Sequence, residues 1–231
     1  MQYLSQRLAS TPSPGRGAGP HDRGLPSPQR ERILDATEKL VATNGCAGTS
    51  IEAIVKQAGV SSVTFYEFFA DKEDCFAVAF DRAVDWGVDE IAAAIHEAGE
   101  AGELSWPEQV ATGLRTTTRL VTRFPERARL CLVEAQSGGT VLNARFDAVL
   151  DRLAAKLREG RALPTASAGL PASHEEATAG ALAWLLRERL ETGGAEKLEA
   201  LYPELIDIAL APYLGAGERR VAVSATAQAD G

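Results

Sequence analysis

The sequence predicts an all-α protein. Apolar residues recur at three- and four-residue spacing through most of the chain after residue 26, capping residues precede those runs, and no run alternates in the manner of a strand. With 231 residues, 45% of them hydrophobic, the chain can bury a sizeable core. Its longest apolar stretches, LCLV, ALAWLL and LIDIALA, fall far short of the roughly 20 residues that cross a bilayer. The opening segment has no apolar signal core, so no membrane partner and a cytoplasmic location are expected.

Each element has its own start and stop signal. Residues 1–26 are rich in Pro, Gly, Ser and Arg without a hydrophobic period and read as a disordered arm. Order is expected from Ser27, a candidate cap, and Pro28, whose missing N–H suits the first helical position. Ile33, Leu34, Thr37, Leu40 and Val41 carry that helix to Asn44-Gly45. Ser50 precedes IEAIVKQA, which stops at Gly59, and Ser61 precedes SVTFYEFF, which stops near Ala70. Asp71 opens a long helix with Phe76, Ala79, Phe80, Ala83, Gly87 and Ile91 along one stripe. Ser105 with Glu108 has capping-box spacing for a helix to about Phe124, and Pro125 starts a short helix that Ser137-Gly138-Gly139 breaks. Leu142, Phe146, Val149, Leu150 and Leu153 mark a further helix ending at Gly160. Residues 160–172 read as a flexible connection, and a second capping box, Ser173 with Glu176, opens a helix to about Glu191. After Gly193-Gly194 and a short helical lead from Ala195, the main part of the last helix is expected to start at Pro203. The units expected are the arm 1–26, a helix-turn-helix domain 27–72, a helical domain 73–214 and a flexible tail 215–231.

Net charge is −8, yet it is unevenly spread. The arm carries three arginines against one aspartate, residues 27–72 carry five basic against six acidic side chains, and the acidity lies in the remaining two-thirds. That distribution permits nucleic-acid binding near the front of the chain without predicting it. Cys46, Cys75 and Cys131 are widely separated and read as small buried hydrophobes, not a disulfide framework or zinc site.

Residues 50–69 have the anatomy of a helix-turn-helix: a short helix, a turn containing Gly59, and a second short helix. Ile54, Ala58, Val60 and Phe65 supply a shared core and Phe69 packs on the first helix, which leaves Ser62, Val63, Thr64, Tyr66 and Glu67 outward. Hydroxyls and a small apolar side chain at a helix start suit a major groove. Taken singly, the exposed Ser and Thr are also good N-caps, and Tyr66 also reads as a partly buried aromatic.

Here the sequence resembles the TetR family of bacterial transcriptional repressors. The resemblance rests on Arg30, Ile33, Leu34, Ala36, Thr49, Ser50, Ile54, Ala58, Gly59, Val60, Ser61, Thr64, Phe65, Tyr66, Phe69, Lys72 and Glu73, in that order. The closing LYPELIDIALAPYLG is similar to the last helix of many actinobacterial members. Two positions depart from the family pattern: Val55 stands where Ala is usual, and Phe68 where His or Tyr often touches phosphate.

The resemblance implies a regulator, most simply a repressor, that binds a palindromic double-stranded DNA operator as a homodimer and is released by a small hydrophobic effector. Thr49, Ser50, Tyr66 and Lys72 would meet phosphates, and Ser61, Ser62, Val63 and Thr64 would lie at the major groove, Val63 against a thymine methyl. Glu67 would accept from cytosine N4 or discourage wrong bases and neighbouring phosphates, and it also reads as a solvated surface charge. Residues 173–191 and 196–213 would pair with the partner copy as a four-helix bundle. The effector would lie among Phe80, Ala83, Trp86, Gly87, Val110, Leu114, Thr117, Val121, Cys131, Glu134, Phe146, Leu150 and Trp184, although each of these also reads as an ordinary core residue. The arm's Arg16 and Arg23 are candidates for a minor groove. No catalytic residue, metal site or cofactor is expected: HExxH, a Gly-rich phosphate loop and GxSxG are absent, and His21, His96 and His174 are scattered. The rival reading is an all-α small-molecule-binding protein or enzyme without DNA binding.

Overall fold

The computed structural model describes residues 27–99, 102–193, 195–215 and 217, and no strand occurs among them. The arm, with Arg16, Arg23 and His21, lies outside the described residues. Helix α1 (Pro28–Gly48) starts with Pro28 in its first turn, but the Ser27 hydroxyl makes no cap bond. Its helical geometry breaks at Gly45, with φ 73° and ψ 168°, where the sequence places the end; one further turn follows before Thr49. A side chain at Gly45 would be strained in that conformation and would also stand 3.1 Å from Glu134 Oε2.

Helix α2 (Ile51–Ala58) is capped by Ser50, whose Oγ accepts from the Ala53 N–H at 3.2 Å, and Gly59 ends it in the left-handed region at φ 64°. Helix α3 (Ser62–Phe68) is capped by Ser61 Oγ, which accepts from the Thr64 N–H at 3.0 Å. Asp71 caps α4 (Lys72–Ala98) through the Asp74 N–H. At 1.5 Å per residue α4 is about 40 Å long, enough to run from the head into the body.

In α5 (Trp106–Arg123) the expected capping box forms. Glu108 accepts from the Ser105 N–H at 2.8 Å and from its hydroxyl at 2.6 Å. Helix α6 (Pro125–Leu132) and a 3-10 turn (Glu134–Gln136) lead to α7 (Thr140–Arg158) and a second 3-10 turn (Glu159–Ala162). Helix α8 (His174–Thr192) follows, but its expected capping box does not form: Ser173 makes no side-chain cap bond, and Glu176 pairs instead with Arg158.

The connection expected to be flexible is tied down on both sides. Arg161 donates to the Leu170 and Pro171 carbonyls and to both oxygens of Glu175. Thr165 Oγ1 donates to the Tyr213 carbonyl at 2.7 Å, and the Ser167 N–H to the Pro212 carbonyl at 2.8 Å. Helix α9 (Ala195–Leu210) runs unbroken through Pro203, which is exposed, so the ring meets solvent where the sequence suggests a fresh start.

Two apolar cores result. The first joins the head to the body: Ile33, Leu34 and Val41 of α1, Ile54 of α2 and Phe65 of α3 meet Phe76 and Phe80 of α4, Leu130 of α6, and Leu142 and Phe146 of α7. Cys46 and Cys75 are buried in it with Cys131 at its edge, and burial pushes their thiols up to about 11, 12 and 12 respectively, so all three stay protonated. The second core packs α5, α8 and α9 together, with Leu114, Leu182, Leu186, Leu201, Leu205, Ile206, Leu210 and Tyr213 at its centre.

Candidate nucleic-acid interface

Helix α3 has seven residues and buries one of them, Phe65. Phe65 and Phe69 are 0% and 2% exposed, with ring centroids 5.4 Å apart, and Arg30 lies over the Phe69 ring. Burial of each ring stabilises the head by about 1.5–3 kcal/mol. The two rings hold α3 by one side, and the other side is left to solvent: Ser62, Val63, Tyr66 and Glu67 are exposed, Val63 at 71%. Tyr66 meets Phe65 edge-on at 5.5 Å and is 57% exposed.

The remaining candidates divide. Ser61 Oγ and Thr64 Oγ1 are 3.0 Å apart, and Thr64 is half-buried, so this pair shapes the start of α3. Ser50 is exposed but already accepts a cap bond. Lys72 is half-exposed beside the head, with its Nζ 4.0 Å from Glu73 and 5.9 Å from the Phe76 ring centre. Thr49 departs from expectation. It is 1% exposed and its hydroxyl donates to the Gly45 carbonyl at 2.8 Å, so it braces the kink of α1 and cannot reach a phosphate. Val55 is buried in the first core, and its carbonyl accepts from the Val60 N–H at 3.0 Å. Phe68 packs at the edge of that core near Phe69.

The head is bound to the body by charge as well as by apolar contact. Arg82 of α4 donates to Glu31 and Asp35, each at 2.8 Å, and to Glu38, all three on α1. Glu38 is 5% exposed and its other oxygen accepts from Arg127 of α6 at 3.0 Å. Arg127 in turn lies 4.5 Å over the Trp86 ring, which meets Phe124 edge-on. Arg129 donates to the Ala42 carbonyl, and Glu134 accepts from the Cys46 N–H at 2.8 Å. Any shift of α4 or α6 therefore pulls on α1 through paired groups that are expensive to separate when buried. Sequence reasoning missed this web, although Glu38 sits on the apolar stripe of α1, where an acid needs a partner.

The effector candidates are not gathered round one space. Phe80, Cys131, Phe146 and Leu150 belong to the first core, whereas Val110, Leu114 and Val121 belong to the second. Ala83 is buried, the Thr117 hydroxyl is bonded to the Gly113 carbonyl, and Trp86 is held by Phe124 and Arg127. Glu134 serves the turn after Gly45, Gly87 faces open space, and Trp184 is 53% exposed on α8. A described cleft of about 470 Å³ lies elsewhere, between α1 and the α5–α6 corner, and is lined largely by charged residues such as Asp35, Lys39, Arg123 and Glu126. No group of three or more His, Cys, Asp or Glu arranged for a metal ion, and no helix long and apolar enough to cross a membrane, occurs among the described residues.

Residues 33–79, which run from α1 through α3 into α4, match the family described as bacterial regulatory proteins, tetR family. A curated relative, the fatty acid metabolism regulator protein of Bacillus subtilis, is 32% identical over 76 residues, which are 33% of this chain and 39% of the relative. The fold is shared much further. The fatty acid degradation regulator of Bacillus halodurans superposes with a TM-score of 0.66 at 19% identity, covering 83% of this chain and 98% of that one. The Bacillus subtilis regulator solved with stearoyl-CoA gives a TM-score of 0.61 at 21% identity, covering 79% and 97%. The head, residues 33–79, thus matches the tetR family of bacterial regulatory proteins, and the helical fold beyond it is one shared with these solved structures.

Proposed function

We propose that the protein is a sequence-specific DNA-binding regulator, a repressor that holds a near-palindromic operator as a homodimer and leaves it when a small apolar effector binds. The outward face of α3 carries this reading: two buried aromatics fix the helix from behind while Ser62, Val63, Tyr66 and Glu67 stand free in front. A helix so presented fits the major groove, where Ser62 and Val63 meet base edges. The Tyr66 hydroxyl and the Lys72 ammonium donate to phosphates on either side. Ser50, Ser61 and Thr64 hold the two short helices at the required angle, and Thr49 is no longer among the phosphate ligands.

One α3 covers only a few base pairs, so a two-fold pair is needed for a long site. The dimer forms through α8 and α9. In support, Trp184 is half in water with Ala177, Gly180 and Ala181 on the two turns before it, a surface on which another helix can lie close. Effector release works by preferring one spacing of the two heads, and the Arg82–Glu38–Arg127 web carries that preference from α4 and α6 to α1. The Bacillus subtilis neighbour was solved with stearoyl-CoA, so compounds bearing an apolar acyl chain are the first to try.

The test is selection of duplexes from a randomised pool, followed by titration of the purified dimer. The selected site binds at least about a thousandfold tighter than random duplex, and affinity falls steeply with salt. Equal affinity for selected and random DNA would defeat the proposal.

A further inference from the structure

A carboxylate on a surface that approaches a polyanion is repelled unless it meets a hydrogen-bond donor. Glu67 is such a group. It is exposed in the last turn of α3 and forms no hydrogen bond or ion pair with the described residues. Val63, four residues earlier on the same face, is 71% exposed, more than any other large apolar side chain described. Neither residue has a task in the fold, because Phe65 and Phe69 anchor α3 and Ser61 caps it.

We infer that Val63 and Glu67 act as a base-reading pair: Val63 packs on the methyl of a thymine and Glu67 accepts from the N4 amino group of a cytosine no more than two base-pair steps away. This rests on the DNA-binding reading above. Four residues of helix advance by about 6 Å, close to two steps of duplex at about 3.4 Å each, so the two side chains reach neighbouring or next-but-one pairs. The chemistry selects the bases. An ionised carboxylate only accepts, so guanine N7 and O6 and thymine O4 repel it. Adenine N6 donates, but it stands between two acceptors, its own N7 and the O4 of its thymine. Cytosine N4 has an acceptor on one side only, with C5–H on the other, and is the donor a carboxylate approaches at least cost. The thymine methyl is the apolar group on the major-groove edges, and Val63 has no polar atom for anything else.

The experiment uses the full-length dimer on its selected operator, with deoxyuridine replacing the chosen thymine and each other base replacing the cytosine. Loss of the methyl weakens wild-type binding by about fourfold and leaves Val63→Ala unaffected. Any change at the cytosine weakens wild type by about tenfold or more, and Glu67→Gln moves the preference at that position to adenine. Both side chains are exposed, so circular dichroism of the variants matches wild type. If wild type prefers its operator but tolerates uracil, and Glu67→Gln tightens every duplex alike, Glu67 is a repelling charge only and the inference falls while the regulator stands. Absence of any preferred operator overturns both.

Discussion

Tyr66 on α3 and Trp184 on α8 stand in water to nearly the same degree, 57% and 53%, but in different company. Beside Tyr66 are Ser62, Val63 and Glu67 on a helix that buries a single side chain. Beside Trp184 are Ala177, Gly180 and Ala181 on a helix that buries Ala179, Leu182, Leu185 and Leu186 on its other side. A Cβ at Gly180 would touch nothing within 4 Å. The first face offers hydrogen bonds and charge and suits a hydrated polar edge. The second offers small side chains round one large ring, which suits a protein surface that can close over it. Two rings of nearly equal exposure thus stand in surfaces of different chemistry, and the neighbours set that difference.

The comparison breaks most easily at Trp184. Trp184→Glu is expected to cost at least about 2 kcal/mol of dimer affinity, seen as monomer in sedimentation and as lost operator binding. A dimer of unchanged strength would mean that the α8 face serves another purpose. On the head, Tyr66→Phe leaves the dimer intact and removes about 1.5 kcal/mol of binding from selected and random duplex equally; a loss confined to the selected site would make Tyr66 a base reader.

The first turn of α8 has its own pH dependence. Glu175, with no side-chain exposure, accepts from the Arg161 guanidinium and from the Tyr213 hydroxyl at 2.7 Å. Arg161 first, and Tyr213 with it, hold the carboxyl down at about 2 against the opposing effect of burial. Its folded value lies below its unfolded one, so the stabilisation is complete above about pH 5 and drains away as pH falls towards 2. Denaturant midpoints measured across that range should show the decline in wild type and a flatter profile in Glu175→Gln.

Two smaller effects sharpen the picture. Thr49→Val loses about 1 kcal/mol of stability with no change in the salt dependence of DNA binding; a reduced salt slope would restore Thr49 to the phosphate contacts. Gly87→Ala, in mid-α4 with open space where the methyl would go, gains about 0.5–1 kcal/mol in thermal or denaturant unfolding.

How much was legible follows the range of the signal. The caps Ser50, Ser61 and Asp71 and the box at Ser105 and Glu108 are present where short spacing put them, and at Gly45, the expected helix end, the helical geometry breaks but one further turn follows. The second box failed because its acid had a better offer: Glu176 pairs with Arg158, which stands 18 residues away. Residues 160–172 look flexible from their Pro, Gly and Ser, yet Arg161, Thr165 and Ser167 fasten them to α8 and to the end of α9. The effector candidates show the same limit, since Phe80 and Leu114 both sit on apolar stripes but belong to different cores.

From its residues alone the chain declared nine helical segments, the order of the helix-turn-helix and the outward side of α3, because each depends on contacts within one or two turns of backbone. Partnership between distant segments was settled only in three dimensions. Helical periodicity marks a side as buried without naming what buries it, and Glu38, Glu134 and Glu175 look like solvated acids until groups 14 to 89 residues away close over them.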